Sequence, residues 1–137
     1  MKFFVGILFF VSTVFAQQPT SKYLSGYKGL TNPNYTATIA SGQQVSSKIN
    51  LGGFSLVGII LPAAFTGTSL TFLASVDNTN FFPIYTTTSG TQLSYTVAQG
   101  HYVAINPQDF YGVQYLEIQS GSSEAATRTL ILSLKGF

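Results

Sequence analysis

Within Val113-Gln114-Tyr115-Leu116-Glu117-Ile118-Gln119-Ser120-Gly121, the aliphatic Leu116 and Ile118 alternate with Tyr115, Glu117 and Gln119 before the stretch breaks at a glycine. A strand projects successive side chains to opposite faces, so a strict period of two marks one half-buried β-strand. Leu116 and Ile118 form its inner face, with Tyr115 and Glu117 opposite. Downstream, Gly121-Ser122-Ser123-Glu124 reads as a turn, and Leu130, Leu132 and Leu134 restore the alternation. Upstream, Leu70, Phe72, Ala74 and Val76 read as another inner face, followed by Asp77-Asn78-Thr79-Asn80. Those four residues accept Asx-type or left-handed turn geometry. Phe81–Thr86 returns, with Pro83 placing it at a sheet edge or a bulge. Leu93, Tyr95 and Val97 continue the pattern, then His101–Ile105 after Gln99-Gly100. Asn106-Pro107-Gln108-Asp109 reads as a loop or a single helical turn.

The same period begins at Tyr35. Tyr35, Ala37 and Ile39 alternate with threonines, and Val45, Ser47, Ile49 and Leu51 follow the Ser41-Gly42 turn. Gly52-Gly53 turns the chain into Phe54–Leu61, which is apolar at almost every position. Such a run predicts a strand covered on both faces. About nine short strands at this turn spacing predict a single antiparallel β-sandwich, all-β and jelly-roll-like, over residues 35–137. Phe54, Phe72 and Phe82 are assigned to its core.

Residues 1–34 have a different character. Met1-Lys2, the apolar run Phe3–Phe15 and Val14-Phe15-Ala16 fit a secretory signal with a cut after Ala16. Uncleaved, residues 1–16 would be the only membrane-seeking part of the chain. Residues 17–34 are rich in Gly, Pro, Ser and Asn without periodicity, and read as an extended N-terminal arm.

Composition removes most mechanisms. Charged residues make up 7% of the chain, against about 25% in an average soluble domain. A net charge of +2 with scattered lysines leaves no nucleic-acid footprint. Zero cysteines exclude disulfides and thiolate metal sites, and no cofactor or metal is expected. Nucleophilic catalysis needs a base beside the nucleophile, and His101 is the sole imidazole. Asp77, Asp109 and Glu124 fall in turns and Glu117 on an outward strand face, so no carboxylate pair is suggested. The reading is therefore non-enzymatic.

Aromatic residues remain, with 12 Phe and 8 Tyr. Phe65, Phe110, Tyr111 and the arm residues Tyr23 and Tyr27 are candidates for exposed contact, either with a protein partner or with a surface glycan. Val57 and Ile59, on the run expected to need cover on both faces, are placed near a contact with a second copy. The expected form is a homo-oligomer or a lattice-bound subunit whose arm crosses to a neighbour.

Several segments together resemble a known group. These are Leu56–Phe65, Leu70–Asp77, Phe81–Tyr85, Tyr102–Pro107, Phe110–Gly121 and Arg128–Leu130. Their order and spacing resemble small β-sandwich virion proteins of tailed bacteriophages, the head decoration and accessory components. The strand-turn-strand Ala74–Phe81 also resembles galactose-binding-like modules. The first resemblance implies a virion structural protein bound to capsid or tail proteins. The second, joined to the signal-like N-terminus, implies a secreted carbohydrate- or surface-binding module.

Overall fold

The computed structural model describes residues 35–136. Nine strands form two antiparallel sheets: β1 Tyr35–Ile39, β2 Ile49–Asn50, β3 Phe54–Ile60, β4 Ser69–Ser75, β5 Phe82–Pro83, β6 Ser94–Thr96, β7 Tyr102–Ala104, β8 Tyr115–Ser120 and β9 Arg128–Gly136. One sheet has the order β1-β9-β3-β7 and the other β2-β8-β4-β5, with β6 also on β4. β5 and β6 divide one edge of β4 between them, pairing at Leu73–Ala74 and at Ser69–Thr71. Apart from the links among β4, β5 and β6, every connection passes from one sheet to the other. That crossing pattern is the jelly-roll arrangement of a sandwich.

The core follows from the alternation. Phe72, Leu116, Ile118, Leu130 and Leu132 are all buried, as their spacing predicts. Leu70, Phe72 and Ala74 face Ser120, Ile118 and Leu116 across β4 and β8. Phe72 holds the centre. The Phe110 ring meets it edge-on at 4.9 Å and the Tyr95 ring at 5.8 Å. Edge-to-face packing suits the ring quadrupoles and adds to the area they bury. Phe110 reaches this position from a single 3-10 turn, Pro107–Phe110, capped by the Asn106 side chain accepting from the Gln108 amide.

Phe54–Leu61 departs from expectation. Its register against β9 shifts between Leu56 and Gly58. A bulge sets two residues against one and breaks the period of two. Leu56, Ile59 and Leu61 all turn inward, and only Ile60 remains substantially exposed. The run is thus apolar because the bulge spends three of its residues on one core, not because both faces are covered.

The strand predicted over residues 44–51 shrinks to Ile49–Asn50 and two isolated bridges. Hydroxyls compete there with the backbone ladder. Ser46 Oγ accepts from the Ile118 amide and Ser47 Oγ from the Thr38 amide. Ser46 is therefore buried while Val45 faces out. Val76 lies outside β4 and is 83% exposed. The strand ends at Ser75, whose hydroxyl donates to Asp77 Oδ1 and opens the turn. Pro83 does sit on an edge strand, as read. Its neighbour Phe82, assigned to the core, is 67% exposed because nothing among the described residues lies beyond that edge.

Candidate functional site

The expected contact residues scatter. Phe65 and Phe110 are buried, so both leave the list of exposed contacts. Phe65 closes the core beneath the Pro62–Thr68 loop, its amide donating to the Pro62 carbonyl. Ile59 is fully buried in the core cluster. Val57 is half-buried at the bulge, its carbonyl accepting from the Ile105 amide. Tyr111 is exposed, as expected. Tyr23 and Tyr27, with the arm and the signal-like segment, lie outside the described residues.

Register brings a different set together. Thr36 pairs with Ile131, Ile131 with Ile60, and Ile60 with Tyr102. These four residues form one row across all four strands of the β1-β9-β3-β7 sheet, on its outer face. Ile60 is 41% exposed, Ile131 45% and Tyr102 54%. The row carries no charge. Beside it Gly58 leaves room for the Tyr102 ring: a Cβ there would fall within the phenol. Tyr102 consequently lies across the sheet and widens the apolar strip. The row was hidden in the sequence, since only the bulge decides that Ile60 rather than Ile59 points outward.

A second surface forms at the end of the sandwich where β3 and β8 begin. One concavity of about 520 Å3 is lined by Gly53, Phe54, Val113 and Gln114 among others. Another of about 350 Å3 is lined by Val76, Asp77, Asn80 and Phe82 among others. Tyr111, Gly112 and Val113 line both and form the ridge between them. Gly52 and Gly53, at φ of 56° and 87°, make the turn that opens the larger one. Positive φ favours glycine, which explains the Gly-Gly pair.

The ionisable side chains are engaged in holding loops. Asp77 Oδ1 accepts from the amides of Thr79 and Asn80, and Oδ2 from Asn80 Nδ2. These bonds hold its carboxyl far below the usual carboxylate range. Asp109 Oδ2 accepts from Asn106 Nδ2 at 3.3 Å and from Tyr95 Oη at 3.5 Å. Burial pushes the Tyr95 phenol up. Burial likewise raises Glu117, with Lys48 opposing. His101 is exposed, its Nδ1 2.7 Å from the Gln99 carbonyl. Among the described residues no three His, Cys, Asp or Glu side chains are grouped to hold a metal ion.

Glu124, read as a turn residue, is fully buried. Its Oε2 accepts from the Thr66 amide at 3.0 Å and from Arg128 Nε at 3.3 Å. Its Oε1 accepts from Ser120 Oγ at 3.0 Å and from the Gly67 amide at 3.3 Å. Burial alone would raise this carboxyl, but the bonds from Thr66, Ser120 and Gly67 outweigh it and hold the group below its ordinary value. Arg128 four residues on was the available sequence signal.

No family model matches the chain, and no curated protein sequence does.

Proposed function

We propose that this protein is a non-enzymatic virion structural subunit, a capsid or tail accessory component, that works by packing against copies of itself. The observation that carries this reading is the uncharged row Thr36–Ile131–Ile60–Tyr102 on the outer face of the four-stranded sheet. Outer sheet faces of a monomer are normally polar, and an apolar strip rimmed by hydroxyls marks an interface. Without charge the strip offers no electrostatic selection of a foreign partner, while two such strips match each other. The C2 dimer is the simplest closed form of such self-matching. Jelly rolls serve in viral capsids and in lectins alike, so the fold supports the reading only by analogy.

Sedimentation of the wild-type chain and of Ile60→Arg with Ile131→Arg tests it. The wild type should sediment as a dimer or larger at high micromolar concentration, and the double variant as a folded monomer. A wild-type monomer at that concentration removes the self-packing reading.

The second reading is a secreted carbohydrate- or surface-binding module. The exposed Phe82 and Tyr111 around the end concavities favour it, as aromatic rims suit sugar faces. Saccharide binding that Phe82→Ala abolishes, by a monomeric wild type, would place this reading first.

A further inference from the structure

A smaller concavity, of about 190 Å3, opens where the connection between β5 and β6 faces the 3-10 turn. It has room for about six waters. That suits the end of one long side chain and falls short of a whole ligand, which takes about 300–1,000 Å3. Ile84 and Leu93 give it apolar lining, Leu93 buried and Ile84 packed against the core. The Ile84 amide donates to the Phe72 carbonyl and the Leu93 amide to the Ile84 carbonyl, so both are tied to β4. The Thr86 hydroxyl bonds that of Ser89, which bonds that of Thr91, and this knits the connection together. Gln108 and Asp109 line the concavity from the capped turn that Phe110 anchors on Phe72. The lining is therefore held on both sides.

Asp109 is the one charged residue in this lining, and it is half-buried. Its Oδ2 accepts only from neutral donors, Asn106 Nδ2 and Tyr95 Oη, and its Oδ1 accepts from no described residue. Among the described residues the one ion pair is Arg128–Glu124, so Asp109 has no counter-ion there. A half-buried carboxylate in that position favours a cation. The Thr87 hydroxyl and the Gln108 carboxamide, both in the lining, offer further acceptor oxygens. An ammonium group has three N–H donors and no acceptor. Tyr85 adds an exposed aromatic ring, which attracts cations to its face. An anion would find no lysine or arginine in the lining. Calcium calls for about six to eight oxygens, several of them charged.

We infer that this concavity is a site for a primary alkylammonium group, with Asp109 Oδ1 as counter-ion, Thr87 and Gln108 as further acceptors, and Ile84 and Leu93 against the methylenes. A lysine side chain and a free amine share this chemistry. The site lies beside the five-stranded sheet and is independent of packing through the outer face of the other.

Amide chemical shifts of the full-length protein, followed during titration with n-butylammonium chloride, test it. The Thr86, Thr87, Leu93 and Asp109 amides should move and saturate in the millimolar range. n-Butanol, which has the same carbon chain without charge, should leave them in place, as should sodium chloride at matched ionic strength. Asp109→Asn keeps the size of the side chain and should weaken binding about tenfold. Gln108→Lys, at an exposed position, supplies an ammonium from within the chain. It should abolish binding of the added amine, and it decides the matter should Asp109→Asn fail to fold. Glu117→Gln, outside the lining, should bind as the wild type does. Absence of saturation overturns the inference, as does an equal response to n-butanol. Binding that survives unchanged in folded Asp109→Asn or in Gln108→Lys also overturns it. So does an equal loss in Glu117→Gln, which would mean a diffuse effect of charge. Nα-acetyl-lysine amide separates the two sources. Tighter binding than n-butylammonium assigns the site to a lysine side chain of a partner protein, and weaker binding assigns it to a free amine.

Discussion

Glu124 ties three loops together at one end of the sandwich. Its side chain holds the Thr66 and Gly67 amides. Its own backbone accepts from the Gly42 amide at 2.7 Å and donates to the Gln43 carbonyl at 2.9 Å. Truncation to alanine strands buried donors and leaves Arg128 without its carboxylate. Glu124→Ala should therefore lower unfolding free energy by about 3 kcal/mol in urea titration, and Glu124→Gln by less. The sign with pH is fixed by the depressed carboxyl. The unfolded chain binds the proton near the ordinary value of 4.5, and the folded one only below that. The stabilisation is complete above 4.5 and is lost as pH falls through the folded value. Acid titration of stability should show this loss in wild type, and a shallower one in Glu124→Gln. Leu132 and Thr129 test the register at the same scale. Leu132→Ala should cost about 2–5 kcal/mol, while Thr129→Ala, at an exposed position, should stay within about 0.5 kcal/mol. Equal costs would put β9 one residue out of register.

At the scale of single elements, β3 and β9 show what periodicity can and cannot convey. β9 pairs regularly with β1, and its inward leucines were legible from spacing alone. β3 was legible as a strand but not in its facing. The bulge that turns Ile59 in and Ile60 out depends on contacts with β9 and leaves no period of its own. Phe65 and Phe110 misled for a related reason. Both lie in segments punctuated by Pro and Gly, which signal loops and hence exposure. Yet Phe110 leaves its 3-10 turn to meet Phe72. A loop position fixes the backbone near the surface but not the direction of a large apolar side chain. Glu124 was misread likewise, since a carboxylate in a Gly-Ser turn gives no local sign of the amides waiting across the fold. The Gly58–Tyr102 contact supplies an element-level test. Gly58→Ala displaces the Tyr102 ring, which is exposed and free to swing, so stability should change little. Self-association should weaken several-fold if Tyr102 lying flat is part of the packing strip. An association constant unchanged by Gly58→Ala would take Tyr102 out of the interface.

For the whole molecule, the sparse charge that marked the sequence has a direct physical consequence. The sandwich presents hydroxyl and amide groups with few ions, so little electrostatic repulsion opposes contact between copies. An interface built on Ile60, Ile131 and Tyr102 would draw its free energy from apolar burial. Such association carries a negative heat-capacity change and weakens on cooling. It should also be nearly indifferent to ionic strength, because the row has no charges for salt to screen, up to about 1 M where the screening length is near 3 Å. Sedimentation equilibrium across temperature and sodium chloride concentration separates the possibilities. Association that is stronger at 25 °C than near freezing, and flat in salt, fits the sheet-face dimer. Association that dissolves with added salt would instead run through the scattered lysines and acids, and the apolar row would then lose its place as the contact surface. The same experiment on Ile60→Arg with Ile131→Arg closes the argument. With two guanidinium groups per face, like charges meet across any symmetric contact, and the double variant should stay monomeric at every temperature tested.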